Sequence, residues 1–326
     1  MSRRRSLKAI LGYAGSAAFV SCTHGPLYSK KDNSNESTEF SPETVDSRDR
    51  VTKGQALVDL EQNTLTNWEL IKALFPLDPQ RYHFSGFVLS SHPEPVGRMI
   101  NQLRLEFDRD PMRAKDSYGH YFGRLRTSAS AYLETNFRNI GFTDSTTMGL
   151  ALLYSGVKLK KDQEVLVCDH DFYSTKESLK LRASRTGANV RYYQLYKSID
   201  AVSEDEILSN IRSNIRPSTR VLALTWVHSD TGLKLPIKLI SQLVDEANRS
   251  RSFHDRLIMC VDGVHGMGVE ALTPSQLGCD FFVAGTHKAL FGPRGTGVIW
   301  AKDSNWPSSY VEATIPPFFK SRFFGE

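Results

Sequence analysis

Residues 257–301 constrain this chain more than any other stretch. They read LIMCVDGVHGMGVEALTPSQLGCDFFVAGTHKALFGPRGTGVIWA. Three apolar runs (257–261, 281–284 and 297–301) suit strands buried on both faces, and glycine-rich turns part them. Charge is held back to the run ends: Asp262 closes the first, and His287 and Lys288 follow the second. In an open α/β sheet, ligands bind beyond the carboxyl ends of the strands. Such a sheet would bring a carboxylate and a primary amine to one crevice, the amine as nucleophile and the carboxylate as partner for a protonated group. The plainer alternative is an ion pair on a solvated rim, since such surface pairs are common and weak. The motifs around the two residues favour the crevice.

Asp262-Gly263-Val264-His265, Gly285-Thr286-His287-Lys288 and Gly292-Pro293-Arg294-Gly295-Thr296-Gly297 together resemble the core signature of class V aminotransferase-fold enzymes. Asp-Gly-x-His and Thr-His-Lys look most like the isopenicillin N epimerase-like branch. The resemblance runs over residues 82–301. It implies the α/β, type I fold of pyridoxal-phosphate-dependent transferases, with a mainly parallel sheet of the seven-stranded type flanked by helices. The strand–helix alternation of residues 164–249 agrees with such a sheet.

The implied cofactor is pyridoxal 5'-phosphate (PLP), and no metal is expected. By the same resemblance, Asp262 would keep the pyridine nitrogen protonated, and Lys288 would form the internal aldimine and then shuttle protons at the substrate Cα. Asp144-Ser145-Thr146-Thr147 opens a helix; such residues are first of all N-caps, and a helix N-terminus is also an anion site. The resemblance makes it a phosphate cup, with Thr146, Thr147 and His287 as holders, although Met148 stands where relatives often carry an acidic residue. His265 would contact the phenolic oxygen; many relatives have Gln there, and His adds a pH-sensitive charge. A ring from residues 169–173, His170 or Phe172, would lie on the cofactor's face, with a core-facing aromatic as the alternative. His228 or Ser229 would touch the ring oxygen.

The ends of the chain read differently. Ser2-Arg3-Arg4-Arg5 followed by a short apolar run resembles a twin-arginine signal over residues 1–22, and Phe19-Val20-Ser21-Cys22 resembles a lipobox. Export, lipid anchoring through Cys22 and a periplasmic or membrane-anchored location would follow. Those basic residues supply most of the net charge of +5, so the remainder carries no nucleic-acid footprint. The four cysteines show neither metal-ligand spacing nor a disulfide framework. Residues 23–53 read as a disordered linker, 54–303 as the PLP-binding large domain with an N-terminal helical segment at 55–75, and 304–326 as the truncated start of a small domain.

Helices are expected at 93–107, 124–136, from 144 onward, and at 178–187, 204–215 and 237–249. Strands are expected at 140–143, 164–168, 189–196 and 220–227, with a strand and turn over 82–89. The functional expectation is a PLP enzyme acting on an amino acid or amino-acid-derived substrate, as a homodimer. Aminotransferase, epimerase and lyase reactions stay open. A cysteine desulfurase is disfavoured, because no cysteine follows Lys288 in this sequence. The alternative is an inactive remnant or exported binding protein on the same fold.

Overall fold

The computed structural model describes residues 68–314. The signal-like segment with Cys22, the linker, most of the helical stretch at 55–75 and the residues after 314 lie outside the described residues. In chain order the elements are α1 (Trp68–Ala73), α2 (Glu94–Arg109), α3 (Pro111–Leu133), β1 (Ile140–Thr143), α4 (Thr146–Gly156), β2 (Glu164–Cys168), α5 (Tyr173–Thr186) and β3 (Asn189–Tyr193). They continue with α6 (Glu204–Asn214), β4 (Thr219–Thr225), α7 (Ile237–Asn248), β5 (Ile258–Asp262), α8 (Pro274–Leu277), β6 (Phe281–Gly285), β7 (Gly297–Ala301) and α9 (Trp306–Ser309).

Among the described residues the strands form one seven-stranded sheet in the order β1-β7-β6-β5-β4-β2-β3. From β6 to β3 all neighbours are parallel. The remaining strand β7 runs antiparallel to both β6 and β1. This is the mainly parallel sheet expected from the sequence.

The central strand β4 shows why the sheet is covered on both sides. Every residue of it is buried. Leu222 and Leu224 face Ile207 and Ile211 of α6 and Ile240 and Val244 of α7. Val221 and Ala223 face the opposite layer, which holds Leu150, Leu153 and Tyr154 of α4 and Leu179 of α5. Burying each large apolar side chain stabilises the fold by about 1.5–3 kcal/mol. With both faces closed, a ligand has access at the strand ends. Val311 bridges to Val157 and joins the same apolar layer, so the chain after β7 packs back onto this body.

Several boundaries differ from expectation, each for a local reason. Helix α3 starts at Pro111, well ahead of residue 124. Asp110 caps it by accepting from the Arg113 N–H at 3.0 Å, and Pro occupies the first turn, where its missing N–H is harmless. Only Ala114 and Leu133 of that helix are buried, so no apolar stripe announces it. It ends at Leu133 because Glu134 turns left-handed, at φ 51°. Helix α5 begins at Tyr173, since its first buried residues are the polar Ser174 and Thr175. Over 82–89 the expected strand is replaced by a 3-10 turn at Ser85–Phe87. The Val88 and Leu89 N–H groups return to the Ser85 carbonyl at 2.8 and 3.0 Å instead of joining the sheet.

Gly263, just past β5, is required by packing. Its N–H donates to the Val283 carbonyl at 2.8 Å. A Cβ there would lie 1.9 Å from the Phe282 ring. Gly263→Ala is therefore predicted to lower stability by about 1–3 kcal/mol, as overpacking does. Gly97→Ala, which meets nothing within 4 Å, is predicted to be neutral or stabilising. Urea unfolding of both checks this; an unchanged midpoint for the Gly263 variant would contradict the packing.

Candidate active site

The carboxyl ends of β2, β4, β5 and β6 converge with the N-terminus of α4. Asp262 pairs in register with Thr225 of β4 on one side and Val283 of β6 on the other. It is 2% exposed. Its Oδ1 accepts the Val264 N–H at 3.1 Å, and among the described residues it has no ion-pair partner. Burial pushes its carboxyl up to about 7, the charge of Asp171 adds to the rise, and the Val264 N–H and Lys288 oppose it. A carboxyl so placed is short of a cation.

Lys288 supplies an amine in the same crevice. Its Nζ lies 2.8 Å from His265 Nε2 rather than on Asp262. Burial lowers its proton affinity, and the charge of Asp262 works the other way. The rim ion pair considered above is therefore not what forms. The lysine backbone is pinned by Ser90, whose Oγ donates to the Lys288 carbonyl at 2.7 Å and whose N–H donates to the His287 carbonyl at 3.2 Å. Ser90 is buried, and sequence reasoning missed it. Its Oγ also lies 2.9 Å from the Gly86 carbonyl, but nothing local marks the serine as a site residue, because Lys288 and His287 lie almost two hundred residues away in sequence.

The α4 terminus meets β6 through the Gly285 N–H, which donates to Thr146 Oγ1 at 2.7 Å. Ser145 caps the helix by accepting the Met148 N–H at 3.1 Å. A Cβ on Gly285 would lie 2.9 Å from His287 Cε1 and 3.1 Å from Thr146 Oγ1, so the three groups share one small space. His287 Nδ1 is buried and has no partner among the described residues. Thr147 is exposed in the helix's first turn. Thr146 and His287 are thus brought together, with Thr147 beside them. Close approach of α4 depends on Gly149, where a Cβ would lie 2.6 Å from Val283 Cγ1.

The loop after β2 separates its two candidate rings. His170 stacks on Tyr196 at 4.1 Å and faces His228 at 6.2 Å. Phe172 is exposed and packs on Tyr173 at 4.5 Å. His170 is therefore the ring of the two that lies beside Tyr196 and His228, and Phe172 the one that faces out. His228 is buried with both ring nitrogens unpartnered among the described residues, and burial followed by the charge of His170 lowers it to about 4. Ser229 is half-buried and reaches Asp230 Oδ1 at 3.5 Å.

Sequence reasoning also missed Asp171. This second buried carboxylate accepts from Thr225 Oγ1 at 2.7 Å and from the Cys168 N–H at 3.2 Å, and burial lifts it to about 6. Cys168, Asp171 and His228 offer ligand atoms within 4.8 Å of one another. Both Asp171 oxygens are already taken by hydrogen bonds, to Thr225 Oγ1 and the Cys168 N–H, so Asp171 braces the ends of β2 and β4, while His228 is unpartnered among the described residues. No sequence signal distinguishes buried Asp171 from exposed Asp169 two residues before it.

The aminotransferase class-V family model matches residues 109–309, more than half of the chain. The chain belongs to the aminotransferase class-V family. Among curated relatives, isopenicillin N epimerase of Amycolatopsis lactamdurans is 26% identical over 246 residues, covering 72% of this chain and 57% of that protein. The Streptomyces clavuligerus epimerase is 26% identical over 270 residues, covering 79% and 65%. A probable cysteine desulfurase of Halalkalibacterium halodurans is 28% identical over 252 residues, covering 72% and 58%. The chain spans about three-fifths of the length of these relatives.

Solved structures share the fold of this class-V chain. A mutant of C-DES with glycine covalently linked to its PLP cofactor superposes with a TM-score of 0.62 at 19% identity, over 72% of this chain and 60% of that one. The apo cysteine desulfurase of Thermococcus onnurineus gives 0.62 at 17% identity, over 74% and 58%.

The raised carboxyl of Asp262 has a measurable consequence in the cofactor-free chain. Folded Asp262 keeps its proton to about pH 7, whereas the unfolded carboxyl releases it near 3.8. Between those values the unfolded chain binds fewer protons, so stability falls as pH rises through that window. Wild-type stability relative to Asp262→Asn is predicted to fall by a few kcal/mol across it, each pK unit being worth about 1.4 kcal/mol. Parallel stability curves in denaturant titrations at fixed pH would contradict this.

Proposed function

We propose that this chain holds PLP at the carboxyl edge of its sheet, attached through Lys288, and acts on an amino acid or amino-acid-derived substrate. Membership in the class-V family makes PLP the cofactor. The observation that carries the assignment to this crevice is the buried, cation-short carboxyl of Asp262 beside the half-buried amine of Lys288. The unpartnered nitrogens of His287 and His228 fit the same group, since each is a polar atom buried without a bond of its own.

When bound, PLP supplies an electron sink for negative charge developing at a substrate Cα. This chain's residues supply the rest. Asp262 sits where a protonated ring nitrogen would satisfy its charge. Thr146, Thr147 and His287 would hold the phosphate, the helix terminus adding unpaired N–H groups and the favourable end of its dipole. His170 would cover one face of the ring and keep water from it. His265 and Ser229 would bond its phenolic oxygen. Lys288 would take and return the proton at Cα, a role suited to a lysine whose proton affinity burial has lowered.

Proton transfer at Cα is common to epimerisation, amino transfer and lyase chemistry, so the proposal stops at that step. The same proposal takes the chain as an exported homodimer. Large side chains at Tyr82, Phe84, Leu105 and Met112 are 93%, 85%, 70% and 62% exposed and so are available to a second copy. The basic segment at Ser2-Arg3-Arg4-Arg5 and Cys22 supports export and lipid anchoring.

The test is to add PLP to the purified chain, reduce with borohydride and map the modified peptide. Stoichiometric label on Lys288 is expected, in material that scatters light as a dimer, with the label lost in Lys288→Ala. Label on another lysine, or an unlabelled chain, would overturn the assignment.

A further inference from the structure

The loop that carries Lys288 contains a backbone conformation that its sequence does not favour. Phe291 has φ 58°, in the left-handed region. Bulky residues are rare there, because Cβ crowds the neighbouring carbonyl oxygen. Among the described residues the other non-glycine at positive φ is Glu134, which is exposed and ends helix α3, an ordinary place for such a turn. Phe291 ends no helix. It lies three residues after Lys288, and its N–H donates to the Lys288 carbonyl at 2.9 Å. The next N–H, that of Gly292, donates to the Thr286 carbonyl at 2.7 Å, so the left-handed residue closes a turn around the lysine. A return of Phe291 to negative φ would swing these two N–H groups apart.

Strain of this kind persists only where neighbours hold it. The Phe291 ring meets the Phe75 ring edge-on, with centroids 5.0 Å apart. Phe75 follows α1, and the Leu74 carbonyl beside it accepts the Glu94 N–H at 2.7 Å, which ties it to the head of α2. Gly268, in the turn after β5, closes on the same loop: a Cβ there would lie 2.9 Å from the Ala289 carbonyl carbon and the Leu290 nitrogen. Leu290 packs on the core, whereas Phe291 is left to Phe75.

We propose that Phe75 is a positioning residue for Lys288: by packing on Phe291 it holds the left-handed turn, and through that turn it sets where the amine lies. The proposal rests on Lys288 being the attachment point for PLP. Glycine or asparagine at position 291 would take the turn unaided. Phenylalanine takes it when its ring is held, so the placement of the amine depends on residues 74–94, which lie outside the sheet. Ser90 of that segment acts on the same point, its Oγ donating to the Lys288 carbonyl at 2.7 Å.

The experiment uses the full-length chain. PLP is added, samples are quenched with borohydride at intervals, and label on Lys288 is counted by peptide mass spectrometry, with exposed Lys238 of α7 as internal reference. Phe75→Ala is expected to slow the labelling of Lys288 roughly tenfold and leave Lys238 unchanged, since misplacing a reacting group by about one ångström costs up to about a hundredfold. Phe75→Tyr, which keeps a ring, is expected to match wild type. The deciding variant joins Phe75→Ala to Phe291→Asn. Asparagine accepts the left-handed backbone, so labelling is expected to recover most of the loss although both rings are gone. In the cofactor-free chains, amide exchange at Gly292 is expected to quicken in Phe75→Ala and to slow again in the double variant, with protected β5 amides verifying an intact sheet. Wild-type labelling in Phe75→Ala, or a double variant no faster than Phe75→Ala, would overturn the proposal and leave Phe75 as packing alone. Gly292 exchange that quickens and is then reversed, in chains none of which is labelled on Lys288, would uphold the turn and sink the PLP reading. Unchanged Gly292 exchange in chains all labelled alike on Lys288 would do the opposite.

Discussion

The structure depends on a buried carboxyl that lacks a cation. Asp262 ends an interior strand of a parallel sheet, between β4 and β6, where water cannot reach it. An isolated buried carboxylate is too unfavourable to persist, so Asp262 holds its proton until a positive group arrives. One hydrogen bond from the Val264 N–H orients it without neutralising it. Such a position weakens the empty protein and favours whatever cation completes it. Sites of this kind are where burial and function meet.

The rest of the fold keeps that position narrow. Gly263 lets the chain turn against the Phe282 ring directly after Asp262, and Gly149 lets α4 approach Val283 closely enough for Thr146 to bond the Gly285 N–H. Each of these glycines removes a side chain where two elements would otherwise be forced apart. Ser90 then clasps the loop after β6 from outside the sheet, so the Lys288 backbone is fixed from two directions. The amine is left with His265 as its near neighbour and Asp262 as the charge it feels.

How much of this was legible in the sequence follows from the range of each interaction. Strands β5, β6 and β7 were legible because buried parallel strands are short apolar runs, and Asp262 and Lys288 because charge at their ends stands out. The start of α4 was legible from the small hydroxyl residues that open it. Ser90 and Asp171 were not, since their meaning lies in partners far away in sequence: Lys288 for the one and Thr225 for the other. That His170 turns toward His228 while Phe172 faces out depends on the path of a loop, which no residue pattern records. Helix α3 was misplaced at its start because a mostly exposed helix has no apolar periodicity, although Asp110-Pro111 carried the capping signal.

The most direct measurement is the protonation state of the ring nitrogen of PLP labelled with nitrogen-15 and bound to this chain, read by NMR. With wild type the ring nitrogen should carry a proton across the neutral range, and with Asp262→Asn it should not. A ring nitrogen that is unprotonated in wild type, or protonated equally in the variant, would show that Asp262 is not the group opposite it.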